Sequence, residues 1–130
     1  MPTLHCAIGE GFRAGDAIRV VLTARVDREL HLFIEAAWGQ VLEGASRFYA
    51  SAPSDFGWNA HVLAVCDGDS FQMGPVQVRI EDLQAGRGPV EGVVPVHALR
   101  DVRFHVQAPD ALAVVHLPRV RPTRTQRRTG

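Results

Sequence analysis

Ala17-Ile-Arg-Val-Val-Leu-Thr-Ala-Arg-Val-Asp-Arg-Glu-Leu-His-Leu-Phe-Ile-Glu-Ala-Ala-Trp38 alternates apolar and polar side chains on either side of a break at Asp27-Arg28-Glu29. Ile18, Val20, Leu22, Ala24 and Val26 fall on one side of the first run, and Arg19, Thr23, Arg25 and Asp27 fall mostly on the other. Leu30, Leu32, Ile34, Ala36 and Trp38 share one face of the second run, with His31 and Glu35 opposite. Successive side chains leave opposite faces of a pleated backbone, so a period of two marks half-buried strands. Two such runs around a polar break predict a β-hairpin.

The same signal recurs along the chain. Phe56 to Cys66 places Phe56, Trp58, Ala60, Val62, Ala64 and Cys66 on one face, and Asn59, His61, Leu63 and Val65 on the other. Asp67-Gly68-Asp69-Ser70 reads as a tight turn, because Asp bonds its own backbone and Gly accepts positive φ. Phe71 to Leu83 reads as one strand, with Gly74-Pro75 marking a bulge or an edge. Val93 to His97, Val102 to Gln107 and Leu112 to Leu117 add three short strands beyond the glycine-rich segment 84–92. Gln40 to Asp55 reads as a long loop holding a short strand or helical turn. No stretch sustains a helical repeat. The expectation is an all-β, antiparallel β-sandwich, immunoglobulin-like or jelly-roll-like, of about seven to eight short strands over residues 1–117, with an Arg-rich C-terminal tail over 118–130. Its expected core is Ile18, Val20, Leu22, Leu32, Ile34, Trp38, Trp58, Val62, Val78, Ile80, Val102, Phe104 and Val114.

At 130 residues, 46% hydrophobic and 22% charged, the chain has ordinary globular composition and length for one domain. No run approaches the roughly 18 apolar residues of a membrane-spanning helix. The start, Met1-Pro-Thr-Leu-His-Cys, lacks the basic and apolar regions of a secretion signal, which leads to the expectation of a cytoplasmic protein, or one assembled in a virus particle. Cys6 and Cys66 lie in no Cys-x-x-Cys pair and are expected as reduced thiols. All fourteen basic side chains are arginines, set against fourteen acids. Five of them, Arg119, Arg121, Arg124, Arg127 and Arg128, stand in an acid-free tail, so the tail is basic and the body acidic.

Glu29-Leu-His31-Leu-Phe-Ile-Glu35, followed by Gly39 and Gly44, resembles the first motif of the cupins, β-barrel metalloproteins with a paired His-x-His, a later Glu and a trailing Gly. The resemblance covers about 15 residues. It implies iron, manganese or zinc held by His31 with Glu29 and Glu35. The second histidine of the pair is replaced by Glu29 or Phe33, and the Gly86-Arg-Gly-Pro-Val stretch lies too far before His97 to supply the second cupin motif. His61, His97 and His105 form a rival three-nitrogen set if their strands converge. Asp67 and Asp69 offer too few oxygens for calcium. No Gly-x-Ser-x-Gly elbow or phosphate loop occurs. The expectation is therefore no enzyme, no cofactor and no metal.

The tail has the one strongly directional charge. Ten closing residues without an apolar side chain cannot offset the entropy of ordering alone, and five positive charges suit an acidic protein surface or several phosphates. No aromatic residue in it can stack on bases. The expected role is a non-catalytic structural subunit of a larger assembly, such as an accessory or decoration protein of a virus particle. It would meet protein partners, copies of itself included, through Arg119, Arg121, Arg124, Arg127, Arg128, Phe48 and Tyr49. Nucleic-acid binding by the tail is the second expectation, and a cupin-like metalloprotein the third.

Overall fold

In a computed structural model of the chain the described residues are 2–37, 42–44, 47–53, 57–85 and 100–118, of which 47–53 are described by their backbone alone. Among them run eleven strands: β1 (Thr3–Cys6), β2 (Gly11–Ala14), β3 (Ile18–Val26), β4 (Glu29–Ala37), β5 (Leu42–Glu43), β6 (Arg47–Pro53), β7 (Trp58–Val65), β8 (Ser70–Met73), β9 (Val76–Asp82), β10 (Val102–Gln107) and β11 (Val114–Leu117). They form two antiparallel sheets, one of five strands in the order β1-β10-β9-β8-β5 and one of six in the order β11-β2-β3-β4-β7-β6. The fold is all-β and β-sandwich-like, with more strands than the seven or eight expected.

Both sheets contribute to one core. Phe12, Val20, Leu22, Leu30, Leu32, Ile34 and Leu63 come from the six-stranded sheet, and Phe71, Val78, Ile80, Val102 and Phe104 from the five-stranded one. The rings of Phe12 and Phe104 meet across the layers at 5.5 Å between centroids, tilted by 57°, within the range favoured by aromatic quadrupoles.

The hairpin at 17–38 forms as β3 and β4, with Val26 opposite Glu29 and Asp27 turning the chain at φ 56°. Aspartate is among the few non-glycine residues that tolerate that region. The alternation does not hold through to the turn. Leu22 pairs with Leu32 but Ala24 pairs with His31, so Thr23 is an extra residue in a β-bulge. A bulge inverts the phase of everything beyond it. Arg25 therefore lies opposite the buried Leu30 on the core face, and Val26 points out, 48% exposed.

β7 corrects a second reading. Its partner β4 turns Leu30, Leu32 and Ile34 inward, and these lie opposite Val65, Leu63 and His61. Directly opposed residues share a face. The inward set is thus Asn59, His61, Leu63 and Val65, while Trp58 is half-buried and Val62 exposed on the outer side. Neither belongs to the core. Val114 is only partly buried against it, and Trp38 lies outside the described residues.

Phe71 to Leu83 is two strands rather than one. Met73 pairs with Val76, so Gly74-Pro75 is a two-residue hairpin turn with Gly74 at φ 57°. Residues 47–53, in the long loop expected to hold a short strand or helical turn, form a strand, β6, at the edge of the six-stranded sheet. β1 and β2 were not foreseen, because four residues each show too little alternation to register. The strand expected at Val93 to His97 lies outside the described residues.

Candidate functional site

The two outer faces differ in chemistry. The five-stranded sheet is polar outside. Thr3, His105, Arg79 and Ser70 lie in register across it, as do His5, Arg103 and Glu81. Thr3 Oγ1 and His105 Nδ1 are 3.1 Å apart, and His105 Nε2 lies 2.9 Å from Glu81 Oε1. The bond with His105 foremost, and then Arg103 beside it, hold the Glu81 carboxyl below its ordinary range. A shallow depression of about 190 Å³ opens beside them, lined by Ser70, Gln77, Arg79, His105 and Gln107.

The six-stranded sheet carries an apolar row outside. Leu117, Gly11, Val21, Phe33 and Val62 lie in register across β11, β2, β3, β4 and β7, and Val62 is paired in turn with Ala50 of β6. Val62 and Val115 are 37% and 38% exposed. Around the row stand Arg13, Arg19, Glu29 and Glu35, and Arg19 Nη1 reaches Glu35 Oε1 at 3.4 Å.

A third feature sits where the sheets meet at one open edge. β1 ends at Cys6, the chain crosses between the sheets, and β2 begins at Gly11. The crossing turn is closed twice: the Glu10 amide donates to the Ala7 carbonyl at 3.0 Å, and the Ala7 amide donates to Glu10 Oε1 at 3.0 Å. That fixes the Glu10 carboxylate, 4% exposed, beside the fully buried Cys6. Edge strand β11 sets His116 opposite the core residue Phe12, which turns the imidazole inward. Cys6 Sγ, a Glu10 carboxylate oxygen and a His116 ring nitrogen all lie within 4.8 Å of one another. Arg100 closes the outside, with Nε 3.0 Å from Glu10 Oε1 and Nη2 3.0 Å from Oε2.

The electrostatics follow from burial and partners. Burial pushes the Cys6 thiol up to about 12, the Glu10 charge adds to this, and Arg100 partly offsets it. Burial also acts to raise Glu10, but bonds from Arg100 and Ala7, with the nearby charges of Arg100 and His116, hold it below its usual value. The resting state is a neutral thiol beside an ionised carboxylate.

Of the expected contact residues, Arg119, Arg121, Arg124, Arg127 and Arg128 lie outside the described residues, and Phe48 and Tyr49 are placed only by backbone, on β6. Tyr49 falls at a second irregularity, since Phe48 pairs with Leu63 and Ala50 with Val62. Glu29, His31 and Glu35 do share the outer face of β4, with His31 Nε2 3.8 Å from Glu29 Oε1. His61 and His105 do not converge: one faces the core from the six-stranded sheet, the other faces outward from the five-stranded sheet, and His97 is outside the described residues. Asp67 and Asp69 serve the turn, Asp67 Oδ1 accepting from the Asp82 amide and Asp69 Oδ2 from the Cys66 amide, both at 2.8 Å. Both cysteines are free thiols.

Sequence reasoning missed Cys6, Glu10 and His116. The available signal was slight, namely that His116 alternates in phase with Val114 and so points inward. These features define an all-β chain of two antiparallel sheets with one polar and one partly apolar outer face. No family model, no curated protein and no solved structure matches the chain.

Proposed function

We propose that the chain is a non-catalytic subunit of a larger assembly, recognising protein, and first a second copy of itself, through the outer face of its six-stranded sheet. In the manner of immunoglobulin-like or jelly-roll-like sandwiches, one sheet face and the loops beside it do the recognising. The carrying observation is the in-register apolar row Val21–Phe33–Val62 with Val115 nearby. Contiguous exposed apolar surface with a polar rim marks interaction sites.

A second copy fits because the rim is charge-balanced. Arg13 and Arg19 stand against Glu29 and Glu35 around the row, so two such faces meet without a net like-charge field. Strand β6 brings the Phe48-Tyr49 segment to the edge of the same sheet.

Light scattering over a concentration series tests this. Self-association of the full chain, weakened at least about tenfold by Val62→Asp, supports the reading. A monomer at every concentration overturns it. If that monomer is retained with nucleic acid, with steep salt dependence lost on removing residues 119–130, the tail-based reading takes its place.

A further inference from the structure

We propose that Cys6, Glu10 and His116 form a binding site for a divalent metal ion of the zinc type at the open edge between the two sheets. The assignment goes beyond recognition by the sheet face and does not depend on it.

Three donors of different kinds converge there: a sulfur, a carboxylate oxygen and an imidazole nitrogen, all within 4.8 Å of one another. Zinc takes this set, with bonds of about 2.3 Å to sulfur and about 2.0–2.2 Å to nitrogen and oxygen. Two ligands about 2.1 Å from a tetrahedral ion stand roughly 3.4 Å apart. His116 Nε2 and Glu10 Oε1 are already 3.5 Å apart. His116 Nε2 is itself buried and makes no hydrogen bond among the described residues, an unusual state for a buried polar atom in the absence of a ligand.

The surroundings match the support that metal ligands need. Glu10 is held by the Ala7 amide on Oε1 and by Arg100 on both oxygens, Nε to Oε1 and Nη2 to Oε2, each at 3.0 Å, while Oε1 also faces His116. Hydrogen-bonded second partners of this kind orient ligating carboxylates. The ligand charges also match that of the ion, with the Arg100 charge left to solvent at its 62% exposed side chain. On binding, the S–H bond breaks, its proton leaves to solvent and a sulfur–metal bond forms. Thiolate and carboxylate together then neutralise the dication, with the imidazole neutral. Arg100 gives up Oε1 to the ion and keeps only its contact with Oε2 or swings out to solvent. A fourth ligand, a water molecule, would have to enter from the edge where the His116 side chain is 34% exposed. Such an ion would tie β1 of one sheet to β11 of the other.

The test uses the full chain, stripped with chelator and titrated with Zn²⁺, and in parallel with Co²⁺, whose thiolate complexes absorb by charge transfer. One ion per chain is expected, with a cobalt–thiolate band and a rise in unfolding temperature on adding Zn²⁺. His116→Ala, a substitution at the partly exposed edge, should weaken Zn²⁺ binding by at least about 100-fold, beyond the 10- to 100-fold typical of a second-shell partner. Cys6→Ser should abolish the band. Since Cys6 is wholly buried, the His116 variant keeps the test decisive if the serine chain does not fold. Arg100→Ala should retain the band, and His31→Ala should leave affinity unchanged. The proposal is overturned by absence of a thiolate band, by affinity that survives His116→Ala, or by affinity that depends on His31.

Discussion

Arg25 and Asp82 join the two sheets through a two-pronged ion pair, Nη1 to Oδ2 at 2.6 Å and Nη2 to Oδ1 at 3.0 Å, with Asp101 accepting from the same guanidinium at 3.3 Å. The bulge at Thr23 makes this possible by turning Arg25 from the solvent face to the core face. Burial works against the Arg25 charge, but Asp82 and then Asp101 outweigh it and raise its pKa further. Asp82 is 5% exposed, so removal of Arg25 leaves a buried carboxylate without its counter-charge, with the Gln84 amide still donating to Oδ1. Arg25→Ala should destabilise by about 3 kcal/mol, the low end for a broken buried pair, because the Arg25 side chain retains 18% exposure. Replacing both partners, Arg25→Leu with Asp82→Leu, should lose much less. Denaturant unfolding of Arg25→Leu, Asp82→Leu and the double measures the coupling, and additive losses would contradict a direct pair.

The β7 face assignment yields a sharper contrast between neighbours. Leu63 is fully buried whereas Val62 is 37% exposed. Leu63→Ala should cost about 2–5 kcal/mol, as core truncations do, and Val62→Ala should stay within about 0.5 kcal/mol. Equal losses by urea unfolding would restore the face that sequence alone favoured.

That contrast shows how far the sequence could be read. The strands β4 and β10, and β3 as far as Leu22, were legible because each has one uniformly apolar face and period two survives along it. β7 was not, because both of its faces are apolar near Val62 to Val65, and the inward set is chosen by register with Leu30, Leu32 and Ile34 of β4. The bulge at Thr23 was hidden for a related reason: Ala24 and Val26 continue the apolar alternation that the backbone abandons. The Cys6–Glu10–His116 cluster is a matter of topology, since β1 and β11 are remote in the chain and meet only when the sheets close. Local spacing carries no trace of that.

His61 should give the fold a mild acid sensitivity. It is 8% exposed on the core side of β7, and burial lowers its pKa below the ordinary 6.5. Above that value both folded and unfolded chains hold it neutral, so it contributes no pH dependence. As pH falls below 6.5 the unfolded chain takes up the proton first, and stability declines until the folded chain also protonates. One proton gives a slope of at most about 1.4 kcal/mol per pH unit. His61→Leu should remove that slope, leaving carboxylate effects at lower pH intact. Unfolding free energies measured between neutral and mildly acidic pH would refute this if wild type and variant ran parallel.

Gly11 should be the least replaceable glycine among those described, for reasons of space rather than of φ. A Cβ there would lie 1.8 Å from the Val20 carbonyl oxygen and 2.8 Å from Val21 Cα, all backbone of the neighbouring strand. Backbone in the middle of a ladder cannot swing aside as a side chain can, so β2 would have to part from β3. Gly68 is the natural control: its φ is +87°, but a Cβ there meets nothing within 4 Å. Gly68→Ala should therefore carry only the left-handed penalty, about 1–2 kcal/mol, while Gly11→Ala should exceed overpacking by a methyl group and cost about 3 kcal/mol or more. Thermal and denaturant unfolding of the two alanine variants rank them directly. Were Gly11→Ala the milder of the two, β2 and β3 would not approach as closely as the register Gly11–Val21 requires, and the apolar row across the outer face would lose its continuity at that strand.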